Sequence, residues 1–166
     1  MKFKVTHEFN VAADKLWAAL FDPEFIPEMM KAAKLDQYDM QVNDTGTHIE
    51  RTIRVLPNIP VPGFVKKVIG DGGMGYREEN RSPKSGPMSY TWKVFPDSLA
   101  DKLSFSGTFT VEPIGPARAR RIIEGDINIK IFGVGGMIEK YMVGELEKMY
   151  EGIAKVQERW VQSRSK

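Results

Sequence analysis

Cysteine is absent from the 166 residues, which excludes disulfides, thiol nucleophiles and cysteine-ligated zinc or iron–sulfur centres. Histidine is nearly absent: His7 and His48 are the only two. Neither has a carboxylate or second histidine at metal-ligating spacing, so no zinc or iron site is expected and no cofactor is implied. No run approaches the ~20 apolar residues of a membrane-spanning helix. The start, Met1-Lys2-Phe3-Lys4, has no apolar stretch behind it of the kind a secretory leader carries. Charge of one sign is also lacking, because the formal net charge of +2 is spread along the chain. A nucleic-acid partner therefore gains little support. No internal repeat, low-complexity tract or linker divides the sequence. The expectation is a cytoplasmic protein with a single domain over residues 1–166, long enough to bury about 70% of its unfolded surface.

What is present is organised around the last forty or so residues. Gly125 to Ile131 alternates apolar and polar with period two, as a half-buried strand does. Phe132-Gly133-Val134-Gly135-Gly136 then supplies a glycine joint. From Met137 to about Gln162 the residues Ile138, Met142, Leu146, Met149, Ile153, Val156 and Trp160 recur at steps of three and four, which puts them on one helical stripe. No other helix is long enough to cover that stripe, so its partner has to be a sheet.

Upstream, the chain supplies that sheet. Phe3, Val5, His7 and Phe9 share one face of a first strand, and Lys2, Lys4, Thr6 and Glu8 share the other. Asp14 to Phe21 reads as a short helix, and Asp22-Pro23 as N-cap and first residue of a second that runs to about Ala33. The pattern around Asn43-Asp44-Thr45-Gly46 predicts a hairpin. Pro57, Pro60 and Pro62, with Gly70, Gly72, Gly73 and Gly75, mark a long insertion in which Gly63 to Ile69 makes two turns of helix. Tyr76 to Arg81, Met88 to Val94, Leu103 to Val111 and Arg118 to Ile131 complete a seven-stranded antiparallel sheet. Gly107 and Gly125, inside good strands, are expected to let it bend. The fold class is α+β, with a curved sheet wrapped around the long C-terminal helix. Near that helix's carbonyl end, Arg159, Arg164 and Lys166 complement the dipole.

The element order, Val11-Ala12-Ala13-Asp14-Lys15-Leu16-Trp17, Asp22-Pro23 and the Gly-hinged helix ending in Trp160 resemble the START and polyketide-cyclase-like superfamily (SRPBCC), whose fold is called helix-grip. Arg54-Val55-Leu56-Pro57 through Gly70-Asp71, with Val134 to Lys140, resembles an uncharacterised bacterial family within it. The resemblance implies an elongated apolar cavity between sheet and terminal helix, entered near the short helices and loops. It leaves the chemistry open, since members include lipid carriers, hormone binders, cyclases and protein-binding modules.

The candidate wall comprises Ile49, Ile53 and Val55, Tyr90 and Trp92, Phe105 and Phe109, Ile127 and Ile129, and Ile138, Met142 and Met149, with Phe64 from the insertion. The same residues could equally build a solid core. Flexible, polarizable methionines suit ligands of irregular shape. His7, Arg51 and Glu78 fall on inward faces, where a charge has to be paired. Either Arg51 holds an acidic head group that Glu78 orients, or the two satisfy each other. The Gly133 to Gly136 joint does not mark a dinucleotide site, because no parallel strand follows the helix. The functional expectation is noncatalytic binding or transport of a hydrophobic small molecule or lipid. Residues 58–69, including Lys66 and Lys67, would serve either as a lip capable of transient membrane-surface contact or as an extra helix packed on the sheet edge. The alternatives are a cyclase- or aromatase-like enzyme using His7, Arg51, Glu78 or Tyr90, and an interaction module with a filled core and an exposed apolar patch.

Overall fold

In the computed structural model of the chain, residues 1–70 and 73–164 are described. Asp71, Gly72 and Lys166, singled out above, lie outside them. The elements run β1 (Lys2–Phe9), α1 (Ala13–Ala19), α2 (Phe25–Ala32), β2 (Gln37–Asp44), β3 (His48–Leu56), α3 (Gly63–Ile69), β4 (Tyr76–Pro83), β5 (Ser89–Pro96), β6 (Leu103–Gly115), β7 (Arg118–Ile129) and α4 (Gly135–Arg164). The strands form one antiparallel sheet in the order β1-β7-β6-β5-β4-β3-β2. Every neighbouring pair except β1 with β7 is consecutive in sequence, joined by short turns apart from the insertion carrying α3 between β3 and β4. The architecture is α+β helix-grip: a curved seven-stranded sheet wrapped around α4.

Local chemistry sets most of the boundaries. At the β2–β3 turn the Asp44 carboxylate accepts the Gly46 N–H at 2.8 Å, and Gly46 has φ +93°, which a side chain would strain. Asp22 is not the N-cap of the second helix, a place Glu24 takes without a side-chain hydrogen bond; Asp22 forms the turn before it, its carboxylate accepting the Glu24 N–H and its carbonyl those of Phe25 and Ile26. The helix therefore starts at Phe25, two residues beyond Pro23. At the far end β7 stops at Ile129 instead of Ile131, and α4 begins at Gly135, two residues before Met137. Gly135 sits so close to the Ile129 carbonyl that a Cβ would overlap it, which is why the joint needs glycine.

Gly107 and Gly125 have a packing role beyond flexibility. Register aligns Trp92, Gly107, Gly125 and Phe3 across β5, β6, β7 and β1. The Trp92 indole lies across both glycines, and a Cβ on either would overlap it. It ends against Phe3, with ring centroids 6.0 Å apart. The buried apolar residues fall into two clusters. The larger joins β1, β5–β7, α1 and α4, and the smaller joins Met30, Ala33, Leu35, Ile53, Val55 and Ile153.

Candidate functional site

Between the inner face of β4–β7 and the first four turns of α4 lies a pocket of about 220 Å³. Its wall is Trp92, Val94, Leu103, Phe105, Ile127 and Ile129 from the sheet, facing Ile138, Met142, Leu146 and Met149 from α4. The i, i+4, i+8, i+11 spacing of the helical residues produces that second wall. Val65, Val68 and Ile69 of α3, with Pro57 and Ile59 before it, close one side. The two Lys side chains of α3, Lys66 and Lys67, point outward and are exposed. No helix among the described residues is long and apolar enough to cross a membrane.

The insertion is tied down at both ends. The Asn58 N–H donates to the Lys34 carbonyl, and the Asp97 N–H donates to the Gly75 carbonyl. Asp97 is held in turn by both terminal nitrogens of Arg54, each 2.6 Å from a carboxylate oxygen.

Polar groups in the wall are few. Glu78 is half-buried and lines the pocket. Burial pushes its carboxyl up from the ordinary range, and the Arg51 charge and a hydrogen bond from Asn80 oppose the shift. With the Asn80 amide turned so that its nitrogen faces the carboxyl, it donates to Glu78 Oε1 at 2.8 Å. Tyr76 and Tyr150 join Glu78 in the wall, and burial raises both phenols.

Of the candidate residues, Glu78, Trp92, Phe105, Ile127, Ile129, Ile138, Met142 and Met149 line the pocket. The others pack elsewhere. Ile53 and Val55 belong to the smaller core cluster. Tyr90 and Phe109 stack on each other, centroids 4.7 Å apart, deeper toward α1. Phe64 packs edge-on against Tyr141. Arg51 is buried and neither meets Glu78 nor reaches the pocket: its guanidinium donates to the Leu20 carbonyl at 2.7 Å and lies over Phe21. The loop after α1 brings an unsatisfied carbonyl closer to it than any carboxylate.

A second buried arginine, Arg121, has no counterpart among the sequence candidates. It is fully buried and donates to the Tyr150 carbonyl at 2.7 Å, to Gln157 Oε1 at 3.3 Å and to His7 Nδ1 at 3.0 Å. The rings of Phe9, Phe109 and Tyr150 surround it, and burial without an anion draws its pKa down to about 10. Gln157 passes the connection to α1 by donating to the Leu16 carbonyl at 2.9 Å. Alternation with Ala119 and Ile123 is the signal that places Arg121 on the inner face. This cluster clamps α4 to the sheet beside the pocket, sharing Tyr150 with its wall.

Among the described residues no group of His, Asp and Glu converges as a metal site. The family described as "Protein of unknown function (DUF2505)" matches residues 4–161. No curated protein matches the sequence. In structure the chain is similar to the Zhui aromatase/cyclase from Streptomyces sp. R1128, with TM-score 0.69 at 10% identity over 100% of this chain and 96% of that one. It is similar to norcoclaurine synthase from Thalictrum flavum, with TM-score 0.64 at 13% identity over 100% and 96%. A START superfamily protein from Mycobacterium smegmatis gives 0.62 at 14% identity over 98% and 97%. At these identities the likeness shows the fold and leaves the chemistry to the site.

Proposed function

This chain belongs to the DUF2505 family, and we propose that it binds or carries an apolar small molecule, without transforming it, in the pocket beneath α4. The observation that supports this reading is the wall itself, which is apolar over most of its extent and faces a void of about 220 Å³. A cavity of roughly 150 Å³ lined by aliphatic and aromatic residues stays dry and takes benzene. A somewhat larger one suits a molecule of one or two rings or a short alkyl chain. It is too small for a two-chain lipid. An occupant that buries roughly 200 Å² of apolar surface gains about 5 kcal/mol before the cost of association is subtracted.

The void of about 220 Å³ favours this reading over an interaction module with a filled core. A cyclase-like reading has one observation in its favour, the Glu78 carboxyl in the pocket wall, and it finds support in the likeness to an aromatase/cyclase and a norcoclaurine synthase. Acid–base chemistry on a bound substrate calls for a donor and an acceptor of matched strength. Beside Glu78 the pocket offers only phenols raised by burial, Tyr76 and Tyr150. Binding is the reading that uses every wall residue. The exposed Lys66 and Lys67, next to the closing segment, and the fully exposed Phe132 at the start of the α4 joint suit loading at an anionic membrane surface.

The test is binding of the neutral fluorophore N-phenyl-1-naphthylamine, with native mass spectrometry of the purified protein for a retained small molecule. Saturable enhancement in the wild type, abolished in Met142→Trp with the fold intact by circular dichroism, is the expected result. An equal response from Met142→Trp would remove the pocket as the site.

A further inference from the structure

We infer that the occupant of this pocket carries a single basic nitrogen, held as a cation on the carboxylate of Glu78; this rests on the reading of the pocket as a binding site. The titratable residues in the wall are Tyr76, Glu78, Tyr141, Glu145 and Tyr150, and none is a lysine, arginine or histidine. The pocket therefore has acids and no base among the described residues. The two buried arginines nearby are committed elsewhere. Arg51 donates to the Leu20 carbonyl and lies over Phe21 and Tyr90. Arg121 donates to Tyr150, Gln157 and His7. Asn80 satisfies Oε1 of Glu78 alone, so the carboxyl reaches the void with acceptor capacity left over.

Three head groups then rank by charge. A carboxylate would bring a second acid against Glu78 in a setting with little solvent to screen it. A hydroxyl would hydrogen-bond and leave the carboxyl's charge state as it is. A protonated amine would place a counter-charge in direct contact with the carboxyl, where the Arg51 charge acts without an ion-pair contact, and the aromatic rings of Trp92, Tyr76 and Tyr150 line the same wall. Burial opposes ionisation of Glu78 in the empty pocket, so such a ligand draws the carboxyl into its charged form as it binds. Size and charge together point to a small lipophilic amine and away from a fatty acid.

Three probes of equal chain length decide it: octylamine, octanol and octanoate, each displacing N-phenyl-1-naphthylamine at pH 7.5 from wild type and from Glu78→Gln. In the wild type octylamine should bind at least ~10-fold more tightly than octanol, about 1.4 kcal/mol, and octanoate more weakly than both. Glu78→Gln should erase the amine's advantage and leave octanol within about twofold. The wild-type ranking alone is decisive if the variant fails to fold: octylamine no better than octanol overturns the inference. An amine preference that survives in folded Glu78→Gln overturns it too. In either case displacement by octanol keeps the pocket as a binding site. No fluorophore binding and no displacement by any probe would take down both readings.

Discussion

Arg121 donates a hydrogen bond to His7 Nδ1 at 3.0 Å, and the two residues are direct partners in the β1–β7 register. Arginine has no acceptor, so Nδ1 presents its lone pair and the imidazole proton sits on Nε2. Protonating the ring would turn an N–H toward a guanidinium.

His7 is accordingly held below the ordinary histidine value of 6.5, first by burial and then by the Arg121 charge, with Glu151 pulling the other way. The unfolded chain takes up this proton before the folded one does. Stability from this contact is full above about pH 6.5 and declines as pH falls through that value. Glu78 has the opposite sign: its folded pKa lies above the unfolded 4.5, so its contribution falls as pH rises from 4.5. Urea midpoints measured from pH 4.5 to 8 should show both slopes. His7→Gln should flatten the decline on the acid side of 6.5, and Glu78→Gln should raise stability at pH 7 relative to wild type. The groups that act on or feel the charge of Glu78 in that comparison are Arg51, Tyr76, Tyr90 and Tyr150 electrostatically and Asn80 by a hydrogen bond. An unchanged acid-side slope in His7→Gln would refute the tautomer assignment.

Gly125→Ala should destabilise by roughly 1–3 kcal/mol, because the new methyl overlaps the Trp92 indole and the Ser106 carbonyl. Adding Trp92→Leu should recover part of the loss and leave the backbone share in place. A double-mutant cycle on denaturant midpoints reads this directly. Strict additivity would mean that the indole does not rest on Gly125.

Arg54→Ala should loosen the closing segment more than it unfolds the protein. The Arg54–Asp97 pair is partly exposed, with side chains 51% and 32% accessible, so its loss should cost no more than about 1 kcal/mol globally. Asp97 also fastens Gly75 at the end of the insertion. Stopped-flow release of N-phenyl-1-naphthylamine should therefore quicken severalfold while the urea midpoint moves little. An unchanged release rate would place the exit elsewhere.

The frame of this molecule is legible in the sequence, because period-two and period-3.6 patterns report which face of an element is buried. Leu146 and Met149 share a stripe with Ile138 and Met142, and all four reach the pocket. The pocket's extent is less legible. Tyr90 and Phe109 have the same inward parity as Trp92 and Phe105, yet they lie toward α1, where side chains fill the space. Parity gives the face, and position along the strand decides between void and core. Arg51 shows another limit. Its inward direction follows from alternation, but its partner is a backbone carbonyl contributed by a loop 31 residues away, and no pattern of residue types announces a free carbonyl. Gly107 and Gly125 read as bends because sequence shows what a glycine lacks. The indole that occupies the vacated space comes from a third strand.

The sheet order also carries a kinetic consequence. β1 has one neighbour in the sheet, β7, and the pair His7 with Arg121 closes a span of 114 residues. Loop-closure entropy on that scale has to be met before the strand's own contacts form. During synthesis β1 has no native partner until nearly every other strand has emerged, and the sheet's apolar face waits longer still for α4. Folding should then be slow and concerted, with a chaperone-sensitive interval that ends when the last helix docks.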